Sequence, residues 1–584
     1  MRPVPRKPVA QVSPEMRSFT LRLWWPLILL PVCAVAILWR ALFLQWINQD
    51  FLEKRGNGQS VRVEKVLAHR GSIVDRFGEP LAVSTPVDLV IVNPRDLLAE
   101  YGAIKRLADA VGREQDWLKQ RLAEAPDRQG LPIGVTLEPG QSAALMQMKI
   151  PGVTTERKYR RYYPAGEVVG HVLGFNSRED HGQEGLELGY DQSLGGEDGA
   201  KRVQRDRMGR NVQNLANIKI ARPGKNLETS IDLRIQYLAY RALKSAVQEA
   251  NADSGSVVVL DVNTGEVLAM ANQPAFNPND RSQFHPNFYR NRAVMDVMEP
   301  GSTMKPFVVA AGLQGGTLTP ASLIDVATNV KVPGRPNEVA DPADHQLDSP
   351  AQPGAILAKS SNRGIVRIAL AQRPEAIWDM LRGVGFGIGS ASGFPGESAG
   401  LLPPLSYWRP AAVASLSIGY GMNATPLQLA SAYATLAGGG VRRPVTFRRV
   451  DGPVRGERVM DETVAREVVG MLEHVVSNDG TAARAAIEGY RVSGKTGTAR
   501  LSSGPLGYQA GQYVALFAGM VPSSNPRLAA VVVIRNPRGG RYYGGAVSAP
   551  VFAELMSGAV RLMGVPPDNL AGIKPGTLLQ AAAP

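Results

Sequence analysis

From Leu23 to Trp39 the chain runs through seventeen uncharged, almost wholly apolar residues (LWWPLILLPVCAVAILW), and after Arg40 the run resumes as ALFLQWI up to Ile47. About 25 residues of this kind suffice to cross a bilayer as a helix. Trp24, Trp25, Trp39 and Trp46 stand near its two ends, where indoles favour the headgroup region. Ahead of it, Arg2, Arg6, Lys7, Arg17 and Arg22 face a single acid, Glu15. The positive-inside tendency then places the tail, residues 1–22, in the cytoplasm and everything beyond the anchor, 23–47, outside. A cleaved leader is the competing reading, because Ala34-Val35-Ala36 has the shape of a cleavage site. The run continues through Ile37, Leu38 and Trp39, so an uncleaved anchor is expected.

A chain tethered this way must fold its remaining length on one side of the membrane. With 584 residues, it has room for two or three domains. Its 44% hydrophobic and 20% charged content is that of a globular protein. The net charge of +13 suits an anionic polymer or lipid surface, and equally plain solubility. No zinc-finger spacing or aromatic-interleaved basic stripe points to nucleic acid, which is not expected as a partner. The one cysteine, Cys33, lies inside the apolar run and can form no internal disulfide. Six histidines and one cysteine give no cluster with ligand spacing, so neither metal nor other cofactor is expected.

Residues 48–222 read as a mixed module. Val66 to Val92 is strand-like, with turns at Arg70-Gly71 and Phe77-Gly78, and Leu97 to Glu124 is helical. Pro223-Gly224 marks a boundary. Beyond it, Asp232 to Ala250 carries a helical apolar period. Ser256–Leu260 and Glu266–Ala271, joined by Asn263-Thr264-Gly265, read as a hairpin. Helices fill much of 304–440, and strands return at Tyr513–Met520 and Leu528–Arg535. This order predicts an α+β domain, 223–565, built on one antiparallel sheet flanked by helices. Residues 566–584 read as a flexible tail, and no internal repeat stands out.

Three short motifs in this second half carry chemistry. Ser302-Thr303-Met304-Lys305 follows Pro300-Gly301 and opens an apolar run. Pro306 fits the first turn of a helix, and a three-residue spacing puts Ser302 and Lys305 on one face. A serine needs a base within reach, and a lysine serves when burial or a second cation keeps it neutral. Lys495 is the cation expected to help. Taken alone, Ser-x-x-Lys arises by chance and is as well a pair of surface residues. Ser360-Ser361-Asn362 follows 58 residues after Ser302, with Ser360 able to relay a proton and Asn362 able to hold an amide. A helix cap is the plainer use of such a triplet. Lys495-Thr496-Gly497-Thr498, after Ser493-Gly494, reads as a strand able to bind a carboxylate and lend a backbone N–H to an oxyanion. Gly489–Thr496 also matches the phosphate-loop pattern, but Gly497 and a Gly- and Ser-rich stretch follow where that loop requires a helix.

In this order and spacing the three motifs resemble the serine acyl-transferases of the penicillin-binding protein and β-lactamase superfamily. The resemblance implies that Ser302 is the nucleophile and Lys305 its base. It implies proton transfer and substrate placement by Ser360 and Asn362, and a carboxylate anchor on Lys495, Thr496, Gly497 and Thr498. The oxyanion hole would be the N–H groups of Ser302 and Thr498. His69–Arg76 (HRGSIVDR), Arg160–Gly174 (RRYYPAGEVVGHVLG) and Gly185-Leu186-Glu187 resemble the elongated non-catalytic pedestal of class B penicillin-binding proteins. NQPAFNPN (272–279), 291–306, 543–552 and 561–570 are most similar to the septal transpeptidase type of Gram-negative division. Segments 501–512 and 535–543 depart from that pattern and are expected to border the cleft.

The implied activity is cross-linking of stem peptides of septal peptidoglycan through an acyl-enzyme, with β-lactams as covalent inhibitors and no glycosyltransferase activity. The implied setting is a single-pass protein of the inner membrane with a periplasmic catalytic domain. Its implied partners are a SEDS-type glycosyltransferase and other division proteins. A carboxypeptidase or β-lactamase using water as acceptor fits the large pedestal and anchor less well, and a scaffold with a dead site fits the intact motifs less well.

Overall fold

The computed structural model describes residues 14–48, 61–205, 211–342, 347–502 and 507–572. Residues 1–13 of the expected N-terminal tail, 503–506 of the departing segment and 573–584 of the expected C-terminal tail lie outside these.

The chain divides into two compact units, Met1–Ala68 with Glu197–Arg222, and His69–Gly196 with Pro223–Pro584. In the first, Pro14–Leu42 is one α-helix that continues as a π-helical turn over Phe43–Ile47. Among the described residues, Ile28–Trp46 is the one helical stretch long and apolar enough to span a membrane. The same unit holds a three-stranded antiparallel sheet in which Gly199–Arg205 lies between Val61–Val66 and Asn211–Lys219. The division is not a simple cut along the sequence. The returning hairpin pairs with Val61–Val66, so the two passages of the chain make a sheet of their own, while 69–196 pack with the second half.

In the larger unit, the long strand Pro80–Val92 pairs antiparallel with Leu131–Leu137 and Val153–Tyr162. Val90, Leu97, Leu107, Leu118 and Ile133 close a small separate core over it. The helical stretch expected at 97–124 is three short helices, Pro94–Ala99, Ala103–Val111 and Gln115–Ala123. Gly102 and Gly112, both at positive φ, break it there, a conformation glycine adopts without strain.

The three pedestal-like motifs converge on one buried ion cluster. Arg70 and Glu187 are both wholly buried and pair at 2.8 Å. Glu187 also takes Arg161 Nε at 2.6 Å, and Arg70 reaches Asp191 at 2.6 Å. Arg161 further donates to the carbonyl of Gly71. Elsewhere residues 69–196 bond to the second half of the chain: Asn279 accepts from Tyr163 N and donates to its carbonyl, and Asp75 accepts from Leu233 N. Buried guanidinium and carboxylate groups persist only when paired in this manner.

The second half is built on a five-stranded antiparallel sheet: β1 (Ser254–Asp261), β2 (Val267–Gln273), β3 (Ser493–Ser502), β4 (Tyr508–Val521) and β5 (Leu528–Arg535), in the order β2-β1-β5-β4-β3. β1 and β2 are buried at every position, which a sheet covered on both faces requires. Six helices matter for the site: α1 (Leu233–Glu249), α2 (Lys305–Gln314), α3 (Asn362–Leu370), α4 (Pro426–Ala437), α5 (Glu462–Val476) and α6 (Gly544–Leu562). α1 and α6 pack together on the sheet, and α4 and α5 form the other covering pair. Asp232 caps α1 by accepting from Arg234 N. The expected hairpin and strands are present. β4 begins at Tyr508 rather than Tyr513, because pairing with β3 carries on past an irregularity between Arg500 and Ser502.

Candidate active site

Gly301–Met304 is a 3₁₀ turn leading into α2, with Pro306 in the first helical turn. Phe307–Gly312 are buried throughout, so α2 is a core helix and its N-terminus is held rigidly. The turn is clamped from three sides. Gly301 N donates to the carbonyl of Gly419 at 3.1 Å. Thr303 Oγ1 donates to Pro300 O at 2.6 Å, and Tyr433 of α4 donates to Thr303 O at 2.9 Å. A Cβ on Gly419 would lie 2.0 Å from Gly301 O, so this approach admits only glycine. Ser302 is half-buried, whereas Thr303, Met304 and Lys305 are buried.

Lys305 Nζ donates to Ser360 O at 2.6 Å, Ser360 Oγ at 3.2 Å and Asn362 Oδ1 at 2.8 Å. The first two candidate motifs, 55 residues apart at this contact, thus meet at one nitrogen. Among the described residues no hydrogen bond joins Ser302 Oγ to Lys305 Nζ. Ser360 takes a positive φ of 56°, which turns both its carbonyl and its hydroxyl toward the lysine. Ser361 is the N-cap of α3, its Oγ accepting from Gly364 N at 3.0 Å. The triplet is therefore both a helix cap and a set of lysine ligands.

Lys495 lies inside β3, wholly buried, with Nζ 3.3 Å from Thr496 O and 3.4 Å from Thr496 Oγ1. Its position within a strand removes the helix a phosphate loop requires. Thr496 Oγ1 is bonded to Thr481 Oγ1 at 2.9 Å, and half-buried Thr498 accepts from Gly544 N at the start of α6 at 3.2 Å. A Cβ on Gly497 would lie 3.0 Å from both Pro300 O and Thr303 Cγ2. The missing side chain lets β3 lie directly against the Ser302 turn.

Burial pushes the Lys305 ammonium down to about 7, and Asp341 pulls it back up. Lys495 is also pushed down, by burial first and then by the charge of Lys305. Desolvation is the leading cause at Lys305, and the two ammonium groups also repel one another, which disfavours both being charged at once. An ammonium ringed by three oxygens but cut off from water loses more hydration than its neighbours return.

Asp341, outside all three motifs, belongs to the site as well. Its Oδ2 accepts from Ser361 Oγ at 2.7 Å and Arg363 Nε at 2.9 Å, and its Oδ1 from the backbone N–H groups of Asn362 at 2.5 Å and Arg363 at 3.0 Å. So does Glu299, whose Oε1 accepts from Gly421 N at 2.9 Å and Tyr508 OH at 3.0 Å. Burial and then Glu299 push the Tyr508 hydroxyl up to about 12. Asp341 stands twenty residues before Ser361 with no pattern of its own, and no sequence signal marks it.

Residues 255–557 match the penicillin binding protein transpeptidase domain family, and residues 65–229 the penicillin-binding protein dimerisation domain family. The peptidoglycan D,D-transpeptidase FtsI of Escherichia coli K12 is 42% identical over 542 residues, 91% of this chain and 90% of that one. Among solved structures, the transpeptidase domain of penicillin-binding protein 3 from Burkholderia pseudomallei is 40% identical with a TM-score of 0.53, covering 58% of this chain and 97% of that one. Penicillin-binding protein 3 of Mycobacterium tuberculosis, in complex with aztreonam, is 27% identical with a TM-score of 0.66, covering 86% and 98%. The chain belongs to the penicillin-binding protein transpeptidase family, in the class B arrangement of a dimerisation module ahead of a transpeptidase domain. Its N-terminal helix is long and apolar enough, over Ile28–Trp46, to serve as a membrane anchor.

Proposed function

We propose that the chain is a serine-type peptidoglycan D,D-transpeptidase that cross-links stem peptides of the septal wall during cell division and is acylated by β-lactams. The convergence of Ser360 and Asn362 on the buried Nζ of Lys305, one helical turn from Ser302, carries this reading. Ser302 Oγ attacks the carbonyl carbon of the terminal D-Ala-D-Ala peptide bond, and neutral Lys305 takes its proton. The oxyanion settles on the N–H groups of Ser302 and Thr498. Ser360 relays the proton to the departing nitrogen, the C–N bond breaks, and D-Ala leaves with an ester left on Ser302. Lys495, Thr496 and Gly497 hold the donor's terminal carboxylate, and Asn362 its amide. An amine from a neighbouring stem peptide then attacks the ester, forms the new amide and returns the proton to Ser302 through Lys305.

The proposed layout is a cytoplasmic tail (1–22), an anchor (23–47), a pedestal (48–222), a periplasmic transpeptidase domain (223–565) and a C-terminal tail (566–584), in the inner membrane. A SEDS-type glycosyltransferase and other division proteins are the proposed partners. Labelling with fluorescent penicillin tests the chemistry: wild type labels covalently and Ser302→Ala does not. Equal labelling of the two would remove Ser302 from the mechanism. Complementation of a division-defective strain tests the septal role.

A further inference from the structure

The segment 298–301, which leads into Ser302, runs beside the segment 419–424. At one end Met298 N donates to Ala424 O at 3.0 Å, and Ala424 N to Met298 O at 2.9 Å. At the other, Gly301 N donates to Gly419 O at 3.1 Å. Between these rungs, among the described residues, no backbone bond crosses. Gly419 and Gly421 take φ values of 82° and 79°, a left-handed conformation that breaks regular pairing. The Gly421 N–H is left for a side chain, and Glu299 Oε1 accepts it at 2.9 Å.

A carboxylate accepting from a backbone N–H makes a stronger bond than a neutral acceptor does. The same oxygen accepts from Tyr508 OH at 3.0 Å, while Oε2 is buried and makes no hydrogen bond. Both bonds of the carboxylate thus run through one oxygen, to the 419–421 loop and to the start of β4.

What this loop holds is the peptide just ahead of the nucleophile. A Cβ on Gly419 would fall 2.0 Å from Gly301 O and 2.5 Å from its carbonyl carbon, so the loop backbone lies directly on that carbonyl. In a trans peptide the N–H points opposite to the C=O. The loop therefore fixes the plane of the 301–302 peptide, and with it the aim of the Ser302 N–H. Gly301 itself, at a φ of 54°, has no Cβ to resist rotation of that plane.

We propose that Glu299 is a positioning residue for the oxyanion hole: through Gly421 it holds the 419–421 loop on the Gly301 carbonyl and keeps the Ser302 N–H aimed. This rests on the reading of Ser302 as nucleophile with its own N–H in the hole. Losing an oxyanion donor outright costs about 10²- to 10³-fold in rate, and a misaimed one costs part of that.

The test uses the full chain in detergent as wild type, Glu299→Ala, Glu299→Gln and Tyr508→Phe. One readout is the acylation rate constant at saturating fluorescent penicillin. The other is the affinity for the boronic acid that replaces the scissile carbonyl of an acyl-D-alanine. Boron takes an electron pair from Ser302 Oγ, whose proton passes to Lys305, and the tetrahedral adduct sets a boron-bound oxygen in the hole. Glu299→Ala should lower both constants about ten-fold or more. The penicillin concentration at half-maximal rate should move less than about three-fold, because the interaction lost belongs to the transition state. Glu299→Gln keeps an acceptor without the charge and should lose about two- to five-fold in both constants. Tyr508→Phe spares the Gly421 bond and should lose clearly less than Glu299→Ala. A purely structural Glu299 would lower the melting temperature and the labelled fraction but leave both constants of the folded protein at wild type. That result, or an equal loss in Tyr508→Phe, overturns the assignment. Should Glu299→Ala not fold, Glu299→Gln decides: a parallel loss in both constants supports the assignment, and wild-type constants overturn it. A wild type that neither labels nor binds the boronic acid would instead remove the reading of Ser302 on which this role depends.

Discussion

A lysine can act as a base only after it has lost its proton, and the surroundings of Lys305 press in that direction. Burial disfavours the ammonium and lowers its pKa to about 7, while Asp341 acts the opposite way. The active, neutral form therefore grows as pH rises through about 7. The rate of acylation by fluorescent penicillin should therefore climb about ten-fold per pH unit below 7 and level off above it. Lys305→Arg keeps a cation at every working pH and should lose about 10²- to 10⁴-fold in that rate. A flat profile between pH 5 and pH 8 would remove Lys305 as the base. The same burial affects stability. Between about pH 7 and pH 10 the unfolded chain holds this proton and the folded chain does not, so folding gains stability as pH rises through that window. The pairing of Ser302 with Lys305 is local, three residues on one helix face, and can be read from the chain. The protonation of Lys305 depends on burial by distant segments and cannot.

At the scale of elements, α3 shows how one carboxylate at a helix start can organise a site. Asp341 holds Ser361, Asn362 and Arg363 at the start of this helix, and so aims Asn362 Oδ1 at Lys305. Asp341→Asn keeps the shape but removes the charge and weakens these hydrogen bonds. A loss of about 1–2 kcal/mol in stability is expected from the impaired cap. Without the attraction of Asp341, the Lys305 pKa should fall further, moving the midpoint of the acylation pH profile to lower pH while the plateau rate drops. An unmoved midpoint would confine Asp341 to a structural part. The β1–β2 hairpin, α1 and the three motifs announce themselves through periodicity and turn residues. The early start of β4 does not, since a Gly- and Ser-rich stretch joins a strand only because β3 offers it an edge. The helical stretch at 97–124 shows the reverse: its apolar positions are right, but two glycines divide it.

Across the molecule, residues 69–196 fold around ionic groups that water would otherwise claim. Arg70 and Arg161 share Glu187 with no exposure to solvent on Arg70 or Glu187. Removing one member of such a cluster leaves uncompensated buried charge, and Glu187→Gln should lower stability by about 3–5 kcal/mol. Urea unfolding of the full chain checks this. Penicillin labelling should fall with the folded fraction, while the acylation rate of the folded protein stays near wild type. A near-neutral effect would mean that the cluster is not closed to water.

The anchor, the α+β character of the second half and the residues of the three motifs are properties of short windows of chain. Hydrophobic run length, apolar period and turn chemistry act over a few residues and need no partner. The tertiary structure alone decided which oxygens surround Lys305, what lowers its pKa, that Gly199–Arg205 pairs with Val61–Val66, and that three pedestal motifs form one ion cluster. Each of these depends on contacts between residues tens to hundreds of positions apart, and on water excluded by groups that no local window contains.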